Sequence, residues 1–172
     1  MKSMSATIVA VALLAASLPA QAQEDRSYPE GGAPESRAVG DPLQRLYRVS
    51  GVRDDGGASG NGQATSFHCT NVSGGNETLV IRVRDFNGDQ VADRSIRIRA
   101  NRTRTLSTHF TRLFFEDAVL SPGEVINQGS AEILATSIEI FCSAMIVDAA
   151  TNSVQGIDLH LVRFNAIPGS QE

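Results

Sequence analysis

The chain has 172 residues and a formal net charge of −4, with 41% hydrophobic residues, 20% charged residues, two Cys and no Trp. This length suits one globular domain, and the composition excludes a wholly disordered chain and a collagen-like repeat. No apolar run reaches the roughly 18 residues that a membrane-spanning helix needs, so we expect no membrane span. The acidic balance argues against a general nucleic-acid binder.

The N-terminus has the pattern of a secretory signal peptide. Lys2 precedes an apolar run over 6–18, and the small residues of Ala20-Gln21-Ala22 predict cleavage before Gln23. We therefore expect residues 1–22 to be a signal peptide. The sequence predicts an exported protein, located in the periplasm or the extracellular space.

Beyond the signal peptide, the sequence predicts one domain between two ends of different composition. Residues 23–42 are rich in Glu, Pro, Gly and Ser and have no apolar periodicity, which predicts a flexible leader. The predicted domain covers residues 43–166. Residues 167–172 are predicted to be a tail.

Within this domain, alternating apolar and polar residues predict seven or eight short strands. The first covers 43–50 and precedes a glycine-rich loop over 51–62. Residues 138–147 are almost continuously apolar, which predicts a central strand covered on both faces. The other strands carry these apolar sets: Phe67 and Cys69; Leu79, Ile81 and Val83; Ile96 and Ile98; Leu106, Thr108 and Phe110; Ala131, Ile133 and Ala135; Leu159 and Leu161. We expect an all-β fold, a single antiparallel β-sandwich.

Residues 111–125 interrupt the alternation. Leu113, Phe114 and Phe115, followed by the apolar residues at 118–120, fit a helical turn better than a strand. The sequence therefore predicts a short helical crossover near 112–120 between the two sheets, with Phe side chains closing one end of the core.

The two cysteines predict a disulfide. Export places Cys69 and Cys142 in an oxidising compartment, and neither lies in a C-x-x-C motif or at zinc-finger spacing from a histidine. Strand parity predicts that both face the core. The layout over 43–164 resembles the immunoglobulin-like class, in which a disulfide joins the two sheets through the core. The resemblance implies an inter-sheet bridge here.

Residues 85–93 resemble the calcium loops of integrin-type propeller repeats and dockerins. Those loops place oxygen ligands at positions 1, 3, 5 and 9, which are Asp85, Asn87, Asp89 and Asp93 in this sequence. The resemblance implies a Ca²⁺ site, because Ca²⁺ takes six to eight oxygen ligands from a tightly curled loop.

The same residues also predict a β-hairpin, which we favour. Asn87-Gly88 between two alternating runs is the strongest short-range signal for a hairpin with a type I′ turn. That turn pairs Leu79 with Ile96, and it places Arg82 opposite Asp93, a favourable pair of opposite charges.

An arginine-rich stretch begins within the same hairpin. Eight arginines and only three acids lie between residues 82 and 112, and parity places Arg82, Arg84, Arg97 and Arg99 on the outer face of two neighbouring strands. Guanidinium groups on a sheet suit the bidentate capture of carboxylate, sulfate or phosphate. The simpler alternative is a solvated face whose arginines pair with nearby acids and protect the sheet from aggregation.

Three hypotheses about function follow. The first is an exported, non-enzymatic β-sandwich module without a cofactor, which binds an unknown protein, an anionic glycan or a lipid headgroup through these arginines. The second is a small calcium-binding domain that uses the 85–93 loop. The third is an enzyme, which a pocket joining His109 or His160 to a carboxylate would support. Asn71, Asn76 and Asn101 each begin an N-x-Ser/Thr sequon, which matters only if the host glycosylates exported proteins.

Overall fold

The computed structural model describes residues 42–56, 60–152 and 155–164, and the structural statements below refer to these ranges. The predicted signal peptide, the leader up to residue 41 and the predicted tail lie outside the described residues. Ten strands are present: β1 (Gln44–Asp54), β2 (Gln63–Asn71), β3 (Glu77–Arg84), β4 (Gln90–Ile98), β5 (Thr103–Ser107), β6 (Ala118–Val119), β7 (Ile126–Ala135), β8 (Ile140–Asp148), β9 (Gly156–Leu159) and β10 (Leu161–Arg163). The described residues contain no helix.

The strands form two five-stranded sheets that pack face to face, so the predicted β-sandwich is confirmed. The first sheet has the order β10-β1-β7-β3-β4, and the second has the order β6-β5-β2-β8-β9. All neighbours are antiparallel except β5 and β6, which are parallel. The count of seven or eight strands was low, because β6, β9 and β10 have only two to four residues and are too short for a periodic signal.

The core lies between the sheets and is filled by the residues that the alternation marked as inward. Fully buried side chains come from both sheets: Phe67, Leu79, Ile81, Val83, Ile98, Leu106, Ile133 and Ile140. One parity assignment is wrong: Phe110 is half exposed because β5 ends at Ser107. The predicted last strand is divided at His160, with Leu159 in the second sheet and Leu161 in the first, but both side chains pack against the core as predicted.

The predicted coverage of both faces is wrong for β8, whereas β7 has it over its second half. Residues 131–137 are all buried, and β7 lies between β1 and β3 in the middle of the first sheet. In β8, Phe141 is half exposed, as is Ile138 just before it. An apolar run thus predicted a covered strand at the wrong place, because neighbouring side chains rather than composition decide what covers an outer face.

The predicted helical crossover near 112–120 is wrong. This segment is irregular apart from β6, and Leu113 and Phe114 pack on the outer face of the second sheet against Ala64 and Val147. Phe115 is fully exposed, so the Phe side chains do not close the core. Backbone N–H groups of this segment donate to other parts of the chain instead of to a helix, as Arg112 does to the Ala149 carbonyl oxygen and Asp117 to that of Thr105.

The disulfide between Cys69 and Cys142 is present, but it lies within one sheet. The two residues are direct partners in the β2–β8 ladder of the second sheet, with Cα atoms 4.1 Å apart. The inter-sheet bridge implied by the immunoglobulin-like resemblance is therefore wrong. Parity correctly predicted that Cys69 is buried in the core, but parity cannot tell which strands are neighbours.

Candidate anion-binding face

The outer face of the first sheet carries a row of alternating charges. The registers of four neighbouring strands align Arg48 with Glu132, Glu132 with Arg82, and Arg82 with Asp93. The guanidinium of Arg48 donates to Glu132 at 2.6 Å, and Nε of Arg82 donates to Asp93 at 2.9 Å. The predicted pair of Arg82 and Asp93 is confirmed. Along this row each arginine faces an acid, so the row itself is close to neutral.

Strand β1 adds two arginines to this face that the sequence analysis missed. Arg45 lies 3.1 Å from the same Glu132 oxygen that Arg48 contacts. A register shift between Arg45 and Tyr47 places Arg45 and Arg48 on one face, although residues three apart in a regular strand point to opposite faces. The sequence carried no signal for this bulge, nor for the place of β1 beside β7.

We use the term arginine face for the outer surface of the first sheet that carries Arg45, Arg48, Arg82, Arg84 and Arg97, together with Arg99, the residue that follows the end of β4. These residues are not equivalent. Arg82 is bound to Asp93, and the Arg84 guanidinium donates to the Gly88 carbonyl oxygen at 2.9 Å. Arg97 and Arg99 are exposed, and their guanidinium groups make no hydrogen bond or ion pair with any residue that the structure describes. Their charges are therefore available to a ligand.

The hairpin before these arginines has the predicted register and a different turn. Val83 pairs with Ala92 as expected, but Asn87 does not have the positive φ that a type I′ turn needs. Gly88 alone in this turn is left-handed, with φ +92°. The Asp85 carboxylate accepts the Asp89 backbone N–H at 2.8 Å, which stabilises a wider, five-residue loop.

This turn does not gather the residues of the calcium hypothesis around one centre. Asp85 Oδ2 faces the Asn87 amide at 3.2 Å, and Oδ1 accepts from Asp89 N–H. Asp93 lies on the strand and is held by Arg82. Calcium binding at 85–93 stays a prediction, and binding would require these contacts to be exchanged for the ion.

A different group of possible metal ligands is formed by Asp54, Asp55 and His109, whose ligand atoms lie within 4.8 Å of one another. The buried Asp54 carboxylate is 3.0 Å from His109 Nδ1, and His109 Nε2 is 2.9 Å from the Asn61 carbonyl oxygen. Asp55 accepts the Gln63 backbone N–H at 2.7 Å. The contact between Asp54 and His109 joins the end of β1 to the segment after β5. It was not predicted, because the two residues are 55 positions apart in the sequence.

The same histidine lines a cleft of about 260 Å³ together with Ser121 and Glu124. This is the juxtaposition of His109 and a carboxylate that the enzyme hypothesis required. Both ring nitrogens of His109 are, however, already engaged with Asp54 and Asn61. A general base needs a nitrogen directed at the substrate, so the cleft favours a structural role for this histidine.

The other features singled out in the sequence lie apart from the arginine face. Asn71 is buried and donates to the Ile98 carbonyl oxygen, which makes its sequon inaccessible in the folded chain. Asn76 and Asn101 are exposed, as is His160. His68 lies under Phe114, and its buried Nε2 has no hydrogen-bond partner among the described residues. Burial lowers the pKa of His68.

Fold and surface together define a class of protein: a ten-stranded, disulfide-linked β-sandwich with a cationic outer face. The chain matches no known family model, no curated protein and no solved structure. In the described part of the chain, no helix is long and apolar enough to cross a membrane.

Proposed function

We propose that this protein is an exported, non-enzymatic β-sandwich module that binds anionic groups through the arginine face. The observation that carries the proposal is the contrast within this face. Arg82 and Arg84 are held by partners of the chain itself, whereas Arg97 and Arg99 are exposed and unpaired among the described residues. Guanidinium groups bind carboxylate, sulfate and phosphate in planar, bidentate geometry.

The position of these two arginines supports the same conclusion. Arg97 is the second-last residue of β4 and Arg99 is the first residue after it, so the two lie at the same end of this strand. β4 is the terminal strand of its sheet, so that a ligand can approach from the side as well as from the face. Export rests on the predicted signal peptide and agrees with the disulfide.

Retention on heparin tests the proposal, with heparin as a polyanionic probe. The Arg97→Ser/Arg99→Ser double variant should elute at a clearly lower salt concentration than the wild type, because two unpaired cations are lost. Arg112→Ser is the matched control: Arg112 is also exposed but belongs to the segment over the second sheet. Its elution should shift much less.

Two results would overturn the proposal. One is a wild-type protein that passes through heparin in low salt. The other is an equal shift in elution for the double variant and for a variant with two Arg→Ser changes elsewhere in the chain. That result would indicate an effect of net charge rather than a binding site. Circular dichroism of each variant checks that the sandwich is intact.

A further inference from the structure

Each sheet of a sandwich ends in strands with unpaired backbone groups, and here these edges differ sharply in length. β6, β9 and β10 have two, four and three residues, whereas β4 has nine. Short edge strands are one way in which proteins prevent edge-to-edge association. β4 is the one long edge in the part of the chain that the structure describes, and it pairs with β3 alone.

The side chains along this edge are cationic on both faces. Arg97 lies on the outer face, Arg99 is the first residue after the end of β4, and Arg94, which pairs with Ile81, lies on the opposite side of the strand from Arg97. All three are exposed, and none of their guanidinium groups has a hydrogen bond or ion pair with a described residue. Asp93, the acidic residue of this strand, forms an ion pair with Arg82.

We propose that an acidic, extended peptide segment of a partner protein binds along β4 as a sixth strand of the first sheet. The inference rests on the proposed function and names its ligand. Main-chain hydrogen bonds to an exposed sheet edge supply affinity in this mode of recognition, and alternating side chains supply specificity. Three unpaired arginines repel a second copy of the same edge and attract acidic side chains. The same charges therefore prevent self-association and select an acidic partner.

The strand also predicts the pattern of its partner. Side chains directly opposite each other in an antiparallel pair are 4.5–5.5 Å apart. Acids are therefore expected opposite Arg99, Arg97 and Arg94, and an apolar residue opposite the partly buried Ile96. Read antiparallel to β4, the pattern is acid, apolar, acid, apolar, polar, acid. The peptide Glu-Val-Glu-Val-Thr-Glu, with neutral capped ends, is the probe.

The decisive experiment methylates the backbone nitrogens of this peptide on alternate residues, in two complementary versions. In a strand pair, alternate N–H groups point toward the partner strand. One version should lose at least tenfold in affinity for the full-length protein, while the other binds like the unmodified peptide. A peptide that carries Gln in place of Glu should bind at least tenfold more weakly.

Variants of the protein provide the second arm. Arg97→Ser/Arg99→Ser should weaken binding of the acidic peptide by at least tenfold, and Arg112→Ser should leave it unchanged. Arg97→Glu/Arg99→Glu should instead bind the peptide in which Lys replaces Glu, a gain that a misfolded variant cannot show.

The outcomes separate this inference from the proposed function. If the protein is retained on heparin but the peptide does not bind, or binds equally in both methylated versions, the added strand is wrong while anion binding stands. The β4 arginines then serve only to protect the edge from association. If neither heparin nor the peptide binds, both proposals fail.

Discussion

At the scale of single residues, polar groups on the outer faces of the sheets are buried by the side chains of neighbouring strands. Glu132 is an outer-face residue, yet its side chain is only 7% exposed because it lies between Arg48, which donates a hydrogen bond to it, and Arg45, which forms an ion pair with it. The aliphatic stems of arginine cover apolar and polar surface alike while the charged ends stay near water. Such residues couple the stability of the sheet to the charge of its surface.

Glu132→Gln should therefore change two properties in opposite directions. The variant should lose about 1–2 kcal/mol of stability, because the charge-assisted hydrogen bond from Arg48 becomes weaker and the ion pair with Arg45 is lost. The same variant should elute later from heparin, because Arg45 and Arg48 are no longer neutralised. Urea unfolding and salt elution measure the two effects. Glu139→Gln makes the same charge change at an exposed position and should leave stability unchanged; equal results for both variants would contradict this account.

His68 predicts a pH dependence of stability. Burial lowers its pKa below the ordinary value of 6.5, and Glu116 opposes this shift. Because the unfolded chain binds the proton more readily, the His68 contribution to the free energy of unfolding should be constant above pH 6.5. It should fall as the pH drops below 6.5 and level off below the lowered pKa. The slope between pH 7 and 5 should be smaller in His68→Gln. Exposed His160→Gln is the control, and identical slopes in wild type and His68→Gln would contradict the prediction.

At the scale of elements, pairing between strands determines what the covalent link does. Cys69 and Cys142 join β2 to β8, which already pair over nine residues, so the bridge reinforces one sheet and leaves the packing between sheets to side chains. Its effect on the free energy of unfolding comes mainly from the unfolded chain, where it closes a loop between residues 73 apart.

The Cys69→Ala/Cys142→Ala variant should fold into the same sandwich with lower stability. The chain-entropy model gives a loss of about 4 kcal/mol for a loop of this length. Urea unfolding of both proteins measures the loss, and far-ultraviolet circular dichroism should show unchanged β structure. Two free thiols in unreduced, unfolded wild-type protein would exclude the bridge.

The β3–β4 turn makes a separate prediction about calcium. Its Asp85 carboxylate and Asp93 are engaged by the turn and by Arg82. We therefore expect millimolar Ca²⁺ to leave the melting temperature unchanged in the wild type. Arg82→Ser releases Asp93 and serves as the more sensitive case. A calcium-dependent rise in melting temperature of the wild type would support the calcium hypothesis instead.

At the scale of the whole molecule, one core is shared by both sheets. Residues such as Phe67 and Leu106 from the second sheet pack in the same cluster as Ile81 and Ile133 from the first. Neither sheet can keep its inner face buried without the other, so unfolding should be a single cooperative transition. Calorimetry and circular dichroism should give one common midpoint, and separate transitions would show that the sheets are independent.

The orientation of most core side chains could be predicted from the sequence, because an apolar residue at every second position leaves one face to bury. The β3–β4 register over residues 79–83 could be predicted too, because a shift by one residue would turn the apolar side chains away from the core, although the turn is wider than expected. The sequence also singled out Arg82, Arg84, Arg97 and Arg99. Three findings follow from the tertiary structure alone: Cys69 and Cys142 lie in one sheet, Arg45 and Arg48 join the arginine face, and β4 is an edge strand. These facts depend on which distant strands become neighbours, and period-2 alternation carries no information about neighbours, because every strand of a sandwich satisfies it equally.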